Sequence, residues 1–176
     1  TTTSVSKVAT LSKSLIKSVI GVLWATPVYK VDYSCRFNDD DYACMTRTPG
    51  TAGNRKIWTF STWIKLGNFG MYRDLFGYFL SNNDAERVLL NSDNTIWWGL
   101  TKANVSKGSR TTSCVIRDAS SWYHLVLVKD ATAASFKIYI NGVETPTTGN
   151  AVTNDDGYIN SNVVHTIGCL TGGGYY

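Results

Sequence analysis

The groups in this chain that could move protons, hold a metal or attack an electrophile are its acidic side chains, two histidines and four cysteines. Cleaving a glycosidic bond takes a general acid and a second carboxylate at a set separation. Glutamate occurs only at Glu86 and Glu144, and neither is expected to belong to a pair of carboxylates two residues apart on one strand face. His124 sits in an alternating run whose same-face neighbours are Trp122, Val126 and Val128. It therefore reads as a satisfied core or inter-sheet histidine and not as a general base. No Ser/His/Asp or Cys/His arrangement can be argued, so the expectation is a protein that is not an enzyme.

Carboxylate-rich turns can bind calcium, and Asp39-Asp40-Asp41, Asp93-Asn94 and Asp155-Asp156 are such turns. The EF-hand alternation with its central glycine is absent, so each reads first as a solvated turn. Asp155 and Asp156 are kept as candidate calcium ligands, and no other cofactor is indicated. Cys35, Cys44, Cys114 and Cys169 contain no C-x-x-C, and His124 and His165 lie far from any cysteine pair, which argues against zinc. Cys35 and Cys44 could bridge a hairpin. Burial as small hydrophobes in a reducing compartment is the preferred reading. Trp63, Trp97 and Tyr158 are the candidates for stacking on the apolar face of a sugar, should their rings be exposed. The competing reading has Trp63 and Trp97 covering the second face of a sandwich or touching a partner chain.

The elements that position these groups are mostly strands. Trp122–Lys129 and Phe136–Ile140 alternate apolar and polar residues, and Asn141-Gly142 after them suits a two-residue type I′ turn. An antiparallel meander is therefore predicted over 122–144. Further strands are predicted at 28–33, 42–46, 57–65, 74–81, 85–91, 95–101, 111–117, 157–159 and 163–168. In 57–65, Trp58, Phe60 and Ile64 share one face and Trp63 the other. In 95–101, Ile96, Trp98 and Leu100 oppose Trp97. Residues 102–110 read as a polar loop holding the sequon Asn104-Val105-Ser106. About ten short strands make an all-β sandwich.

The one helical signal lies in an N-terminal arm, residues 1–27. There Leu11, Leu15, Val19 and Val22 form an apolar stripe, which must be covered by a partner subunit or by the chain's own domain. The β domain is expected over 28–176. Of the 176 residues 43% are hydrophobic and 17% charged, enough apolar content for a core of that size. The net charge of +4 is mild and no basic cluster interleaves with aromatics, which argues against nucleic acid. No run of 18 apolar residues spans a membrane.

Four segments carry a family resemblance. Trp58-Thr59-Phe60-Ser61-Thr62-Trp63-Ile64-Lys65 is similar to the F-T-I/F-S-x-W-V/I-K strand of laminin-G-like and concanavalin A-like jelly rolls. Trp122-Tyr123-His124-Leu125-Val126-Leu127-Val128-Lys129-Asp130 resembles their W-x-H-L/V-x-L/V-V-K/R-D strand. Lys137-Ile138-Tyr139-Ile140-Asn141-Gly142 resembles their K-I/L-Y-I/V-N-G hairpin, and Thr166-Ile167-Gly168 their late I-x-I-G strand. The resemblance implies a concanavalin A-like antiparallel jelly roll. Ser34–Pro49 and Ala52–Lys56 further resemble the opening of lectin-like structural proteins in marine tailed phages. That likeness implies a virion surface protein, assembled in the host cytoplasm: a decoration, fibre or appendage subunit. Its expected partners are other copies of itself and other virion proteins, joined through the arm and an open sheet edge, with host surface glycans as the alternative ligand. The family continues past I-G with further strands, which here are expected to be absent or supplied by another chain.

Overall fold

A computed structural model describes residues 33–38 and 43–170. The chain divides into two units, Thr1–Cys35 and Arg36–Tyr176. The helix expected in residues 1–27, with Leu11, Leu15, Val19 and Val22, lies outside the described residues, as do Asp39, Asp40 and Asp41. Among the described residues there is no helix.

The second unit is built from strands β1 (Met45–Arg47), β2 (Ile57–Ile64), β3 (Arg73–Ser81), β4 (Asp84–Leu90), β5 (Thr95–Lys102), β6 (Val105–Val115), β7 (Tyr123–Asp130), β8 (Ser135–Ile140), β9 (Val143–Thr145), β10 (Thr147–Thr148) and β11 (His165–Ile167). They form two antiparallel sheets, a larger one ordered β1-β11-β3-β4-β5-β6-β10 and a smaller one ordered β2-β7-β8-β9. This is the expected all-β jelly-roll sandwich. Alternation turns one face of each sheet inward. Trp58, Leu125, Leu127, Phe136 and Ile138 meet Val88, Leu90, Ile96, Trp98 and Leu100 across the interior. Trp98 stacks on Phe136 with ring centres 4.0 Å apart, and Phe60 stacks on Phe76 at 4.7 Å. Each such side chain removed from water contributes roughly 1.5–3 kcal/mol. The meander forms as predicted: Asn141 and Gly142 turn the chain with φ of 52° and 81°, and Ile140 faces Val143.

At its centre the core is charged. Lys129 continues the inward face of β7, and its Nζ lies 2.8 Å from Glu86 Oε1 of β4, both side chains wholly buried. The other carboxylate oxygen accepts the backbone N–H groups of Tyr158 and Ile159 at 2.6 and 2.8 Å. The Trp58 and Trp98 rings flank the ammonium at 5.7 and 5.5 Å. Gly157 passes so close that a Cβ there would collide with both the carboxylate and the ammonium.

Several expectations are corrected. Of the strand expected at 28–33, residues 28–32 lie outside the described residues; residues 33–38 form no strand, and β1 pairs with β11. Accordingly Cys44 is disulfide-bonded to Cys169, with Cα atoms 5.3 Å apart, and not to Cys35. Cys35 and Cys114 are free and exposed, not buried. Residues 102–110 are not a loop. Ala103 and Asn104, with φ of 49° and 63°, make a tight turn from which β6 departs. That strand lacks apolar alternation because its buried positions are Gly108 and Thr112. Residues 157–159 form no strand and are held by the Glu86 carboxylate instead.

Candidate functional site

The outward face of the smaller sheet carries an aromatic shelf. Ala131 N–H donates to Lys56 C=O at 3.0 Å, so Lys56 and every second residue after it bond toward β7. Trp63 and its partner His124 are therefore a non-hydrogen-bonded pair, the kind in which side chains approach most closely. Their rings stack at 4.9 Å with planes 20° apart. Ser61 Oγ lies 3.0 Å from His124 Nε2. The backbone of His124 is fixed by Asn141, whose Oδ1 accepts the His124 N–H and whose N–H donates to the His124 carbonyl, each at 2.8 Å. Thus the turn predicted from Asn141-Gly142 also clamps the shelf. Trp63 remains 52% exposed, and Trp122, just before β7, is 50% exposed.

His124 is accordingly an outer-face residue and not a core histidine. The parity that groups it with Trp122, Val126 and Val128 is correct, but the buried side of β7 is the one bearing Leu125, Leu127 and Lys129. Farther along the shelf Tyr139 faces Val126 and Glu144. Glu144 accepts from Lys137 Nζ at 3.0 Å and from the Tyr139 hydroxyl at 3.2 Å. That bond and charge pair raise the Lys137 ammonium above its ordinary range. Glu144 is thus committed to its neighbours. The shelf offers a flat apolar surface edged by a hydroxyl and an imidazole, which suits stacking and hydrogen bonding.

The other candidates lie elsewhere. Trp97 is on the outward face of the larger sheet, opposite Leu89 and Thr111. Its ring lies over Gly99, where a Cβ would run into it. Tyr158 is half-buried on the inward side of that sheet, stacked near Tyr78 with ring centres 4.7 Å apart, and its hydroxyl donates to Asp84 Oδ1. Burial first, and then the Asp84 bond, push its phenol up to about 12. Trp63, Trp97 and Tyr158 therefore occupy three separate places. Asp155 accepts from the Thr153 hydroxyl at 2.8 Å and lies 3.5 Å from Lys107 Nζ, while Asp156 lies 3.9 Å from Arg55. No group of three or more potential metal ligands occurs among the described residues.

Asp84 stands two residues before Glu86, so a pair of carboxylates at that spacing is present, contrary to the expectation. Glu86 is sealed in the core, and Asp84 accepts from Tyr158 and from the Ala103 N–H at 3.1 Å, bonds that lower its pKa.

With the fold in view, comparison with known proteins is direct. The sequence profile described as the concanavalin A-like lectin/glucanases superfamily matches residues 37–176, and the chain belongs to that superfamily. No curated protein matches it in a sequence search. Among solved structures, domains LG4-5 of the mouse laminin α1 chain are similar at 11% identity and a TM-score of 0.53, over 80% of this chain and 37% of that one. The CBM40 of the Ruminococcus gnavus IT-sialidase is similar at 10% identity and a TM-score of 0.50, over 73% of this chain and 80% of that one. A heptameric SAP-like pentraxin from Limulus polyphemus is 22% identical with a TM-score of 0.49, over 74% of this chain and 61% of that one. This chain thus spans less than two thirds of the pentraxin and laminin chains. The laminin and CBM40 likenesses are of fold.

Proposed function

We propose that this domain is a glycan-binding module that recognises its ligand without cleaving it, and that Trp63 and His124 form the contact. The observation that carries the reading is the half-exposed Trp63 indole, held flat against His124 beside the Ser61 hydroxyl. The apolar C–H face of a sugar stacks on such a ring, and the edging hydroxyl and imidazole take its hydroxyl groups. Membership of a lectin/glucanase superfamily supports the reading. Binding rather than catalysis is supported by Glu86 and Glu144, both engaged by a lysine. No cofactor enters the proposal. Calcium, if used, would be sought at Asp155 and Asp156, whose pairing with Lys107 and Arg55 favours a calcium-independent contact.

The test is a glycan array read with and without calcium, followed by titration of any hit. Trp63→Ala is expected to weaken binding at least tenfold, or about 1.4 kcal/mol, while Trp97→Ala leaves it unchanged. An array with no hit, or a hit lost only with Trp97, sinks the shelf.

The setting belongs to the same proposal: a virion surface, where the domain is a decoration, fibre or appendage subunit carried by residues 1–27. It rests on the resemblance of Ser34–Lys56 to phage structural proteins. Deleting residues 1–25 is expected to release the protein from its particle with the β domain still folded; retention on the particle excludes the arm as anchor.

A further inference from the structure

The turn that clamps His124 is also the one place in the chain where asparagine precedes glycine. Asparagine is chemically labile because the next residue's main-chain nitrogen lies within reach of its side-chain amide carbon. A side chain on that next residue hinders the approach, and Gly142 has none. Asn141 and Gly142 are both exposed, so water and hydroxide reach them. When the amide carbon is attacked, negative charge gathers on its oxygen. Asn141 Oδ1 accepts the His124 N–H at 2.8 Å, a fixed donor already aimed at that atom. Other asparagines are held differently. Asn91, Asn150 and Asn160 are bound through Nδ2, the atom that would have to leave, to Thr95, Ser106 and the Asn54 carbonyl. Asn54 Oδ1 accepts the Lys56 and Ile57 N–H groups, each at 2.9 Å, but the bulky Arg55 follows it, pinned through Nε to the Gly157 carbonyl at 2.7 Å.

We propose that Asn141 is a self-modifying site, at which the Asn141-Gly142 turn converts to aspartate and isoaspartate and the isoaspartate unclamps the shelf. The Gly142 nitrogen gives its proton to hydroxide and bonds to Asn141 Cγ. The Cγ–Nδ2 bond breaks, Nδ2 takes a proton from water and leaves as ammonia, and a five-membered imide closes. Water then opens the imide at one of its two carbonyls. Opening at Cγ gives aspartate; opening at the former main-chain carbonyl gives isoaspartate. The net exchange is ammonia for water, with no change of oxidation state. In aspartate the acceptor for His124 survives. In isoaspartate Cγ and its oxygen become main chain, so the clamp is lost. The turn is then one carbon longer, which breaks the two-residue geometry that sets Ile140 opposite Val143. The His124 backbone is freed, and with it the imidazole stacked on Trp63. That a sugar is what this loosening releases rests on the reading of the shelf above; the conversion itself does not.

The experiment holds the full chain folded at mildly alkaline pH for days, beside a sample in urea, and maps both by proteolysis and isoaspartate detection. Asn141 is expected to be the first asparagine of the folded chain to convert. Another asparagine converting first overturns the proposal, as does an Asn141 still intact when the urea sample has converted. Hydrogen exchange at the His124 N–H is the second readout. It is expected to quicken at least tenfold in the isoaspartyl protein and to stay slow in Asn141→Asp, with circular dichroism showing both folded. Unchanged exchange in the isoaspartyl protein overturns the loss of the clamp. Neither measurement uses a sugar, so an empty glycan array leaves this proposal standing, and an inert Asn141 leaves the shelf standing.

Discussion

Lys129 occupies a position that strand parity assigns to the interior and that lysine chemistry assigns to water. Parity wins because the ammonium meets Glu86 at 2.8 Å, the Arg55 carbonyl at 3.5 Å and two indole faces. Removing one member of a buried pair leaves an uncompensated charge, which costs about 3–5 kcal/mol. Lys129→Met is expected to lose that much in urea unfolding. Combining it with Glu86→Gln is expected to cost clearly less than the sum of the single changes, because the two residues share one interaction. A Lys129→Met protein of wild-type stability would show that the pair contributes nothing. Half of this arrangement was legible in the chain. The motif ending in Val128-Lys129-Asp130 marked the strand, and its alternation put the lysine on one face with Leu125 and Leu127, but the sequence reading turned the opposite, His124 face inward. The partner, 43 residues earlier on the other sheet, left no local trace. For the same reason His124 was grouped with the right neighbours and assigned to the wrong side.

At the scale of the elements, turns set the acid sensitivity. Between β6 and β7, Asp118 accepts the Ser120 hydroxyl and N–H at 2.6 and 2.8 Å and also the Ser121 hydroxyl. The Ser120 hydroxyl first, then that of Ser121, hold its carboxyl at about 2, against 3.8 ordinarily. Asp93 and Asp130 are lowered in the same way, chiefly by the hydroxyls of Thr95 and Thr132. A depressed carboxyl adds stability above its unfolded pKa, and that stability is lost as pH falls through the folded value. The denaturation midpoint is therefore expected to hold above about pH 4 and to fall between about 4 and 2, with a shallower fall in Asp118→Asn. A midpoint indifferent to that window would contradict the turn geometry. Local turn chemistry is what a sequence displays best, as Asn141-Gly142 shows. By contrast the first part of β6, residues 105–110, with Gly108 as its buried residue, had no apolar period to reveal it.

For the molecule as a whole, the Cys44–Cys169 bond closes the long circuit from β1 to the residues just past β11, across 125 residues. Constraining a loop of that length stabilises by about 2–5 kcal/mol. The Cys44→Ser, Cys169→Ser double variant, or wild type in reductant, is expected to melt several degrees lower. Hydrogen exchange is expected to speed up first at Met45–Arg47, the short exposed edge strand. Equal melting with and without reductant would show that the bond constrains nothing. Sequence spacing offered Cys35–Cys44 as a possible local bridge and preferred free, buried thiols, whereas the true pairing follows from sheet order, which spacing does not encode.

The buried ion pair has a last consequence, for how the two layers meet. Glu86 belongs to the seven-stranded sheet and Lys129 to the four-stranded one. Each layer, assembled alone, would carry a bare charge in the middle of its apolar face, and that charge holds water. Neither face dries until the other arrives, so closure is a joint, late event, and a half-assembled chain keeps a wet, charged spot in the surface most prone to stick to its neighbours.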